Sequence, residues 1–369
     1  MTPIASYYRF NPTGAFSVDW YIGKRCNFAC SYCVDYLHDY TSPHAPIENM
    51  KKFVDIIYEK EKDNVLWSLT GGEPTIHPNF LELCKYIKNK GSKYISVTTN
   101  GSRTLEYFKE LFLYVDGITQ SFHFEFINDR IDEYIDKFIE LDKERIYLNK
   151  RAKPKKTLIL RFMVETGHLA NIEKMETAYR KAGITNIEHR YIRRPAADKG
   201  KNMQPVDKFG FNDSKDPNQI TDSNKVKKIE ENEKVYYKSD EIKQIETIYK
   251  NTDDDNNKKL KLWFYENGKY VDKNVHYNEL NYNKENNFEG WLCWAGIKHC
   301  KIASTGDVYI GNCHLGGKRG NMYDIDNIDL PTEPIRCSKW RCTDNTDLKV
   351  PKIKDWEHYS LIKEMIEHA

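Results

Sequence analysis

The sequence contains no apolar run that approaches the length of a membrane span, although 39% of its 369 residues are hydrophobic. Its first residues also lack the basic-then-apolar pattern of a secretory signal, so we predict a cytoplasmic protein with no membrane partner. No charge sign dominates: 57 Lys and Arg oppose 55 Asp and Glu, and the net charge of +2 argues against nucleic-acid binding. These absences leave a globular chain of one large or two to three small domains.

Cysteine is present in an odd number, nine, and the cysteines cluster along the chain as three, one and five. In a cytosolic protein such clusters indicate metal sites rather than disulfides. Cys26, Cys30 and Cys33 form a C-x3-C-x2-C motif, and thiolates are soft ligands for iron–sulfur clusters, zinc or cuprous copper. A structural zinc site wants a nearby fourth ligand. None follows at zinc-finger spacing, although His38 and His44 lie downstream, so three thiolates suit a [4Fe–4S] cluster with one open iron.

Alternating strand and helix patterns predict an α/β fold with right-handed βαβ units and a parallel sheet. The predicted strands are residues 16–23, 65–70, 94–99, 117–124, 157–164 and 186–192, and the helices between them are 46–60, 78–90, 105–114, 127–141 and 169–182. Ligands of parallel sheets lie at the carboxyl ends of the strands. The cysteine motif, residues 71–74, Asn100 and Ser121 all fall at or near those ends, which predicts one site.

Gly71-Gly72-Glu73-Pro74 is the second motif, and it directly follows the second predicted strand. Its glycines allow a backbone to approach a ligand closely, and Glu73 offers a carboxylate to an ammonium group. With the three cysteines some forty residues before it, this turn resembles the methionine-binding motif of the radical S-adenosylmethionine (radical SAM) superfamily.

The resemblance implies a partial (β/α)6 TIM barrel, a [4Fe–4S] cluster on the three cysteines, and S-adenosylmethionine as cofactor. It further implies one-electron reduction, by a donor such as flavodoxin or ferredoxin, that cleaves the cofactor to methionine and a 5′-deoxyadenosyl radical. That radical takes a hydrogen atom from the substrate. A non-catalytic iron–sulfur or zinc scaffold is the alternative of another class, but it has no need for Glu73.

Four further positions are candidate cofactor contacts: Asn100, Ser121, Arg161 and Ile192. Asn100 would contact ribose or the methionine carboxylate, or else form an ordinary Asn-Gly turn. Ser121 resembles the family's cofactor-contacting Ser, or else is a strand-end hydroxyl bonded to backbone. Arg161 needs a partner inside an apolar strand, either a ligand carboxylate or a neighbouring strand. Ile192 would offer backbone to adenine.

The cysteines near the C-terminus resemble the auxiliary-cluster modules, SPASM and the shorter twitch, that follow many radical SAM barrels. Two departures matter: the spacing from Gly306 to Cys313 is two residues longer than usual, and only two cysteines follow. We therefore expect one auxiliary [4Fe–4S] cluster, with Cys300 left over in a strand or replacing one ligand; a zinc site on the same thiolates is the alternative. The expected ligands are Cys293, Cys313, Cys337 and Cys342.

The predicted domains are an N-terminal segment (1–15), the radical SAM partial barrel (16–199), a charged bridging region (200–287), an auxiliary-cluster module (288–347) and a C-terminal helix (348–369). Within these we also expect a helix over 240–250, a charged loop at 253–259, a hairpin over 260–271 and a terminal helix over 356–368. About fifteen residues precede the first predicted strand, which argues against an N-terminal leader-recognition module. The substrate prediction is a peptide or protein side chain, with a small sugar, nucleotide or cofactor precursor as the alternative.

Overall fold

A computed structural model describes residues 3–8, 15–33, 38–193, 204–206, 241, 244, 260–266, 269–275, 280, 285–342 and 344–360. The N-terminal part of the chain contains the following elements: β1 Ala5–Tyr8, β2 Phe16–Tyr21, α1 Ile47–Glu61, β3 Val65–Thr70, α2 Phe80–Asn89, β4 Tyr94–Thr99, α3 Leu105–Tyr114, β5 Gly117–Phe122, α4 Phe124–Ile127, α5 Ile131–Leu148, β6 Thr157–Val164, α6 Leu169–Lys181, β7 Ile187–Arg193 and β8 Gln204–Val206.

The C-terminal part has mostly short strands: β9 Leu260–Glu266, β10 Lys269–Val275, β11 Leu292–Cys293, β12 His299–Ile302, β13 Val308–Tyr309, β14 Ile335–Arg336, α7 Asn345–Lys349 and β15 Lys352–Ile353. The predicted hairpin is confirmed as β9 and β10, which pair antiparallel. The predicted turn at 267–268, the charged loop and most of the helix over 240–250 lie outside the described residues. Residues 361–369 also lie outside the described residues. The predicted terminal helix over 356–368 is described only at its start, which contains a short 3-10 turn, Trp356–His358.

The main sheet has the order β13-β12-β2-β3-β4-β5-β6-β7-β8. Strands β2 to β7 run parallel in chain order with helices between them, so the α/β fold and the partial (β/α)6 barrel are confirmed. Strand β5 is buried along its whole length, whereas β2 and β3 bury alternate residues. The large side chains that fill the core between sheet and helices include Trp20, Trp67, Phe53, Phe122 and Tyr179.

One predicted helix differs from the observed structure. In place of a helix over 127–141, the short α4 is followed by α5, which extends to Leu148. The apolar spacing weakens after Leu141, yet Asp142 is buried and pairs with Arg145 one turn later, at 2.6 Å between carboxylate and guanidinium. A salt bridge at i,i+3 continues the helix where the hydrophobic pattern does not show it.

The second sheet has the order β10-β9-β1-β15-β11-β14. Strand β1 lies in its middle, antiparallel to β9 and to β15, so residues from four predicted domains share one sheet. The domain boundaries themselves stay a prediction. Within the described residues, no helix is both long and apolar enough to cross a bilayer.

We expect Ala5→Asp to disrupt this second sheet. Ala5 is fully buried on β1 and opposes Trp263 on one side and Ile353 on the other. Because an unpaired buried carboxylate costs about 3 kcal/mol or more, the apparent melting temperature should fall by roughly 5 °C or more.

Val271→Asp is the matched control, because Val271 is 41% exposed on the edge strand β10. Thermal unfolding followed by circular dichroism compares the two variants. Equal melting temperatures for both would show that β1 is not an internal strand.

Candidate active site at the carboxyl edge of the parallel sheet

The cysteine loop after β2 is fastened to the turn after β3 by backbone hydrogen bonds. The Gly72 amide donates to the Gly23 carbonyl, and the Glu73 amide donates to the Arg25 carbonyl, both at 2.9 Å. A Cβ on Gly71 would lie 2.6 Å from the Gly23 oxygen, and Gly71 has φ +132°. The glycines therefore allow two protein loops to pack against each other, a role beyond the ligand approach that the motif predicts.

A cavity of about 230 Å³ opens at this edge, and most of the predicted site residues line it. Those it brings together are Cys26, Cys30, Cys33, Gly71, Gly72, Glu73, Asn100, Ser121 and Arg161. Two predicted residues lie elsewhere among the described residues. Pro74 begins the buried 3-10 turn Pro74–Ile76, and the Ile192 side chain packs in the core.

Glu73 is 3% exposed, and four donors surround its carboxylate. Oε1 accepts from the Thr75 amide (2.9 Å), the Thr75 hydroxyl (2.6 Å) and the Thr99 hydroxyl (2.8 Å). Oε2 accepts from the Asn100 amide at 2.6 Å. Burial raises the pKa of Glu73, and these four donors oppose the rise. The carboxylate is therefore held in one orientation at the cavity wall, and Oε2 retains capacity for a further donor such as an ammonium group.

Asn100 and Ser121 are both buried at the cavity. The Asn100 side chain accepts from the Ser102 amide at 3.0 Å and donates to Asn27 of the cysteine loop at 2.9 Å. The ordinary turn expected as the alternative for Asn100 is therefore present, with Gly101 at φ +72°. The same side chain also connects that turn to the cysteine loop.

Arg161 forms a salt bridge with Glu188 on the neighbouring strand β7, at 2.9 Å. This is the cross-strand partner expected as the alternative for a cation in an apolar strand. Arg161 still lines the cavity, and Ser121 is its register partner on β5. The pair of residues places a hydroxyl and a guanidinium on adjacent strands at one wall.

Sequence reasoning missed a buried polar network beside the cysteines. The Tyr32 hydroxyl donates to Glu165 at 3.0 Å and lies 2.6 Å from His123 Nδ1, which is 3.4 Å from Cys30 Sγ. Burial raises the pKa of Glu165 to about 7 and lowers that of His123 to about 4, so the imidazole is neutral. Tyr32 precedes a motif cysteine and His123 follows Ser121 by two residues, but no signal in the sequence pairs either with Glu165.

The three cysteines fit a four-iron cluster by chemistry and burial. All nine cysteines are free thiols, Cys26 and Cys30 are at most 9% exposed, and burial raises the pKa of Cys26 to about 11 and that of Cys30 further. A bound iron would replace these thiol protons. Among the described residues no three acidic, His or Cys side chains converge on a single-ion site. In a four-iron cluster each cysteine sulfur binds a different iron, so the sulfurs do not have to surround one common metal ion.

The four other expected ligands, Cys293, Cys313, Cys337 and Cys342, line a second, small cavity between the C-terminal strands. Cys300 is not among the residues that line it: its side chain is fully buried in the barrel core, where β12 pairs with Val18 on β2.

Charged residues that the sequence analysis did not single out surround these four thiols. Asp347 is buried and accepts from the amides of Asn312 (2.8 Å) and Cys313 (2.5 Å). Lys352 is 2% exposed and donates to the carbonyls of Asp347 and Val350. The negative groups around it raise the pKa of Lys352 despite its burial. A buried cation beside four thiols suits a site whose ligands are thiolates.

Comparison with known proteins finds a family match over part of the chain. Residues 20–140 match the sequence model of the Radical SAM superfamily. This match identifies a Radical SAM domain over that part of the chain, and members of the superfamily are enzymes that use a [4Fe–4S] cluster and S-adenosylmethionine.

Individual relatives match different shares of the chain. It is 26% identical over 186 residues to the mitochondrial GTP 3′,8-cyclase of Arabidopsis thaliana, covering 41% of this chain and 47% of that protein. It is 39% identical over 83 residues to the subtilosin biosynthesis protein AlbA of Bacillus subtilis, covering 21% and 17%. The chain spans less than half the length of these curated relatives. Among solved structures, Streptococcus suis SuiB bound to precursor peptide SuiA has a TM-score of 0.47 at 12% identity, covering 84% and 62%.

We expect Glu73→Gln to destabilise the fold even without a cofactor. An amide group cannot accept at both positions, so its NH2 would face either the Asn100 amide or the Thr75 and Thr99 donors. An unsatisfied buried donor costs about 1–3 kcal/mol, which should lower the apparent melting temperature of the cluster-free protein.

Glu82→Gln is the control, because Glu82 lies on α2 with an exposed side chain whose contacts, with Lys51 and Asn79, are at the surface. Its effect should stay within about 0.5 kcal/mol. If both variants melt alike, Glu73 is not held by the donors described above.

Proposed function

We propose that this protein is a radical SAM enzyme that cleaves S-adenosylmethionine reductively and abstracts a hydrogen atom from its substrate. The observation that carries the proposal is the convergence of Cys26, Cys30 and Cys33 with Glu73 at one cavity. Cys26, Cys30 and Cys33 would hold a [4Fe–4S] cluster, which would supply the one electron needed for reductive cleavage of S-adenosylmethionine.

The chain's own residues would bind and orient the cofactor in this proposal. Glu73 Oε2 would accept from the methionine ammonium group, since the fixed carboxylate is complementary to a cation. Ser121 and Arg161, at the same wall, would bind polar oxygens of the cofactor, with Asn100 beside them. Buried walls would exclude water from a reactive radical. Electrons would come from a donor such as flavodoxin or ferredoxin.

We further propose one auxiliary [4Fe–4S] cluster on Cys293, Cys313, Cys337 and Cys342. The shared cavity supports this ligand set, as does the separation of Cys300 into the barrel core. A cluster with four thiolate ligands has no open iron, so it would serve electron transfer to or from the substrate. Lys352 would partly compensate the thiolate charge.

For the substrate we propose a peptide or protein side chain. The support is the 39% identity to a bacteriocin biosynthesis protein over 83 residues. A small nucleotide is the second candidate, favoured by the similarity to a GTP cyclase and by Arg161 and Arg190 in the cavity wall, which suit an anionic ligand. Substrate-dependent stimulation of 5′-deoxyadenosine release, by GTP or by a candidate precursor peptide, would separate them.

The cleavage proposal predicts that Cys26/Cys30/Cys33→Ala abolishes 5′-deoxyadenosine formation. We expect no product above background from the anaerobically reconstituted variant with dithionite, because the cluster has no ligands. Chromatography of the quenched reaction measures the product. Cys84→Ala is the control, since Cys84 is a buried core thiol on α2, and it should keep wild-type turnover. Turnover by the triple variant would contradict the assignment.

The auxiliary-cluster proposal predicts roughly eight irons per chain, and about half of these in the Cys26/Cys30/Cys33→Ala variant. In that background Cys293→Ser should lose the remaining iron, because a ligand is removed. Cys300→Ser should keep it, because Cys300 packs with the barrel core. Elemental analysis and absorption spectra measure both. Stoichiometric zinc in place of iron would make the module a zinc site, and iron loss in the Cys300 variant alone would overturn the ligand set.

A further inference from the structure

Two segments anchor the middle of the cysteine loop. Glu125 accepts from the Ser31 amide at 2.7 Å and from the Ser31 hydroxyl. Glu165, at the end of β6, accepts from the Tyr32 hydroxyl at 3.0 Å. The loop between Cys30 and Cys33 is thus held at two consecutive residues, which fixes its position relative to the start of α4.

The donors around Glu165 determine the direction of the hydrogen bonds. Its Oε1 also accepts from the Phe124 amide at 3.0 Å, and its Oε2 accepts from the Glu125 amide at 3.2 Å. The two backbone amides and the Tyr32 hydroxyl all donate to this carboxyl group, so both of its oxygens act as acceptors. The single hydroxyl proton of Tyr32 is then committed to Glu165.

It follows that the Tyr32 oxygen accepts at its second contact. That contact is His123 Nδ1 at 2.6 Å, so Nδ1 carries the proton of the neutral imidazole. The same Nδ1 lies 3.4 Å from Cys30 Sγ. The ring is further held by a stacked contact with Tyr32 at 5.9 Å and an edge contact with Phe28 at 6.2 Å. One N–H group therefore faces both the tyrosine oxygen and the cysteine sulfur.

We propose that His123 donates an Nδ1–H hydrogen bond to the sulfur of Cys30, and that Tyr32 and Glu165 fix the tautomer that makes this possible. The inference rests on the proposed ligation of a four-iron cluster by Cys30. His123 is then a positioning residue that raises the reduction potential of this cluster. Hydrogen bonds to ligand sulfurs tune cluster potentials, and a donor stabilises the reduced, more negative cluster more than the oxidised one.

The test is a redox titration, followed by electron paramagnetic resonance, of the reconstituted full chain. The signal to follow is the one that the Cys26/Cys30/Cys33→Ala variant lacks. His123→Leu removes the donor, and we expect the ratio of reduced to oxidised cluster at a fixed poise to fall about fivefold, the typical size of one hydrogen bond. His123→Asn places an amide N–H near the position of Nδ1, so its ratio should stay within about twofold of wild type.

Tyr32→Phe removes the acceptor that selects the tautomer, and we expect its ratio to fall by about twofold or more. Tyr179→Phe is its matched control: this buried tyrosine loses a 3.0 Å hydrogen bond to the Tyr134 carbonyl, far along the chain from the cysteines. Its ratio should not change.

The inference is overturned if His123→Leu, with full iron content, has the wild-type ratio. If that variant does not hold iron, Tyr32→Phe decides, and a ratio equal to that of Tyr179→Phe overturns it. A wild-type protein whose signal persists without Cys26, Cys30 and Cys33 would overturn the proposed ligation as well. Normal ratios in the histidine variants, with a signal that depends on the cysteines, overturn this inference alone.

Discussion

The site depends on the contact between two backbone loops, the cysteine loop after β2 and the Gly71–Glu73 turn after β3. Hydrogen bonds from the Gly72 and Glu73 amides hold the loops together. A side chain at Gly71 or Gly72 would collide with backbone carbonyls of the cysteine loop, including those that accept these hydrogen bonds. Because these loops follow adjacent parallel strands, the sheet fixes their spacing before any cofactor binds. The thiols and the Glu73 carboxylate therefore belong to one preorganised unit.

Glu73 illustrates what this preorganisation costs and provides. A buried carboxylate is unfavourable by itself, and here amides and hydroxyls from two different turns satisfy it. The Asn100 turn is in turn connected to the cysteine loop through Asn27. Three consecutive strand ends are thus joined by polar contacts around one carboxylate, so the cavity wall keeps its shape when empty. A cationic ligand would meet a charge that is already oriented.

The sequence was sufficient for the barrel and for most of the cavity wall. Period-2 and helical patterns located β3, β4 and β6 with their observed bounds, because each is an apolar run between clear turn residues. Local sequence patterns were insufficient where the structure depends on pairing between residues that are far apart in the chain. Strand β1 is short, and its partners β9 and β15 lie more than 250 residues later, so nothing local indicates a strand. The contact of Tyr32 with Glu165 likewise joins residues 133 positions apart.

The C-terminal cysteines are positioned by the barrel and not only by their own module. Strand β12 extends the main sheet as a parallel neighbour of β2, the strand that leads into the cysteine loop. Asn312, next to Cys313, donates to Asp19 on β2 at 3.2 Å and to Asp344 at 3.1 Å. Asp347 holds the Cys313 amide, and β15 pairs with β1. Cys313 is therefore connected to β2 in two ways, by the backbone pairing of β12 and by the side chain of Asn312.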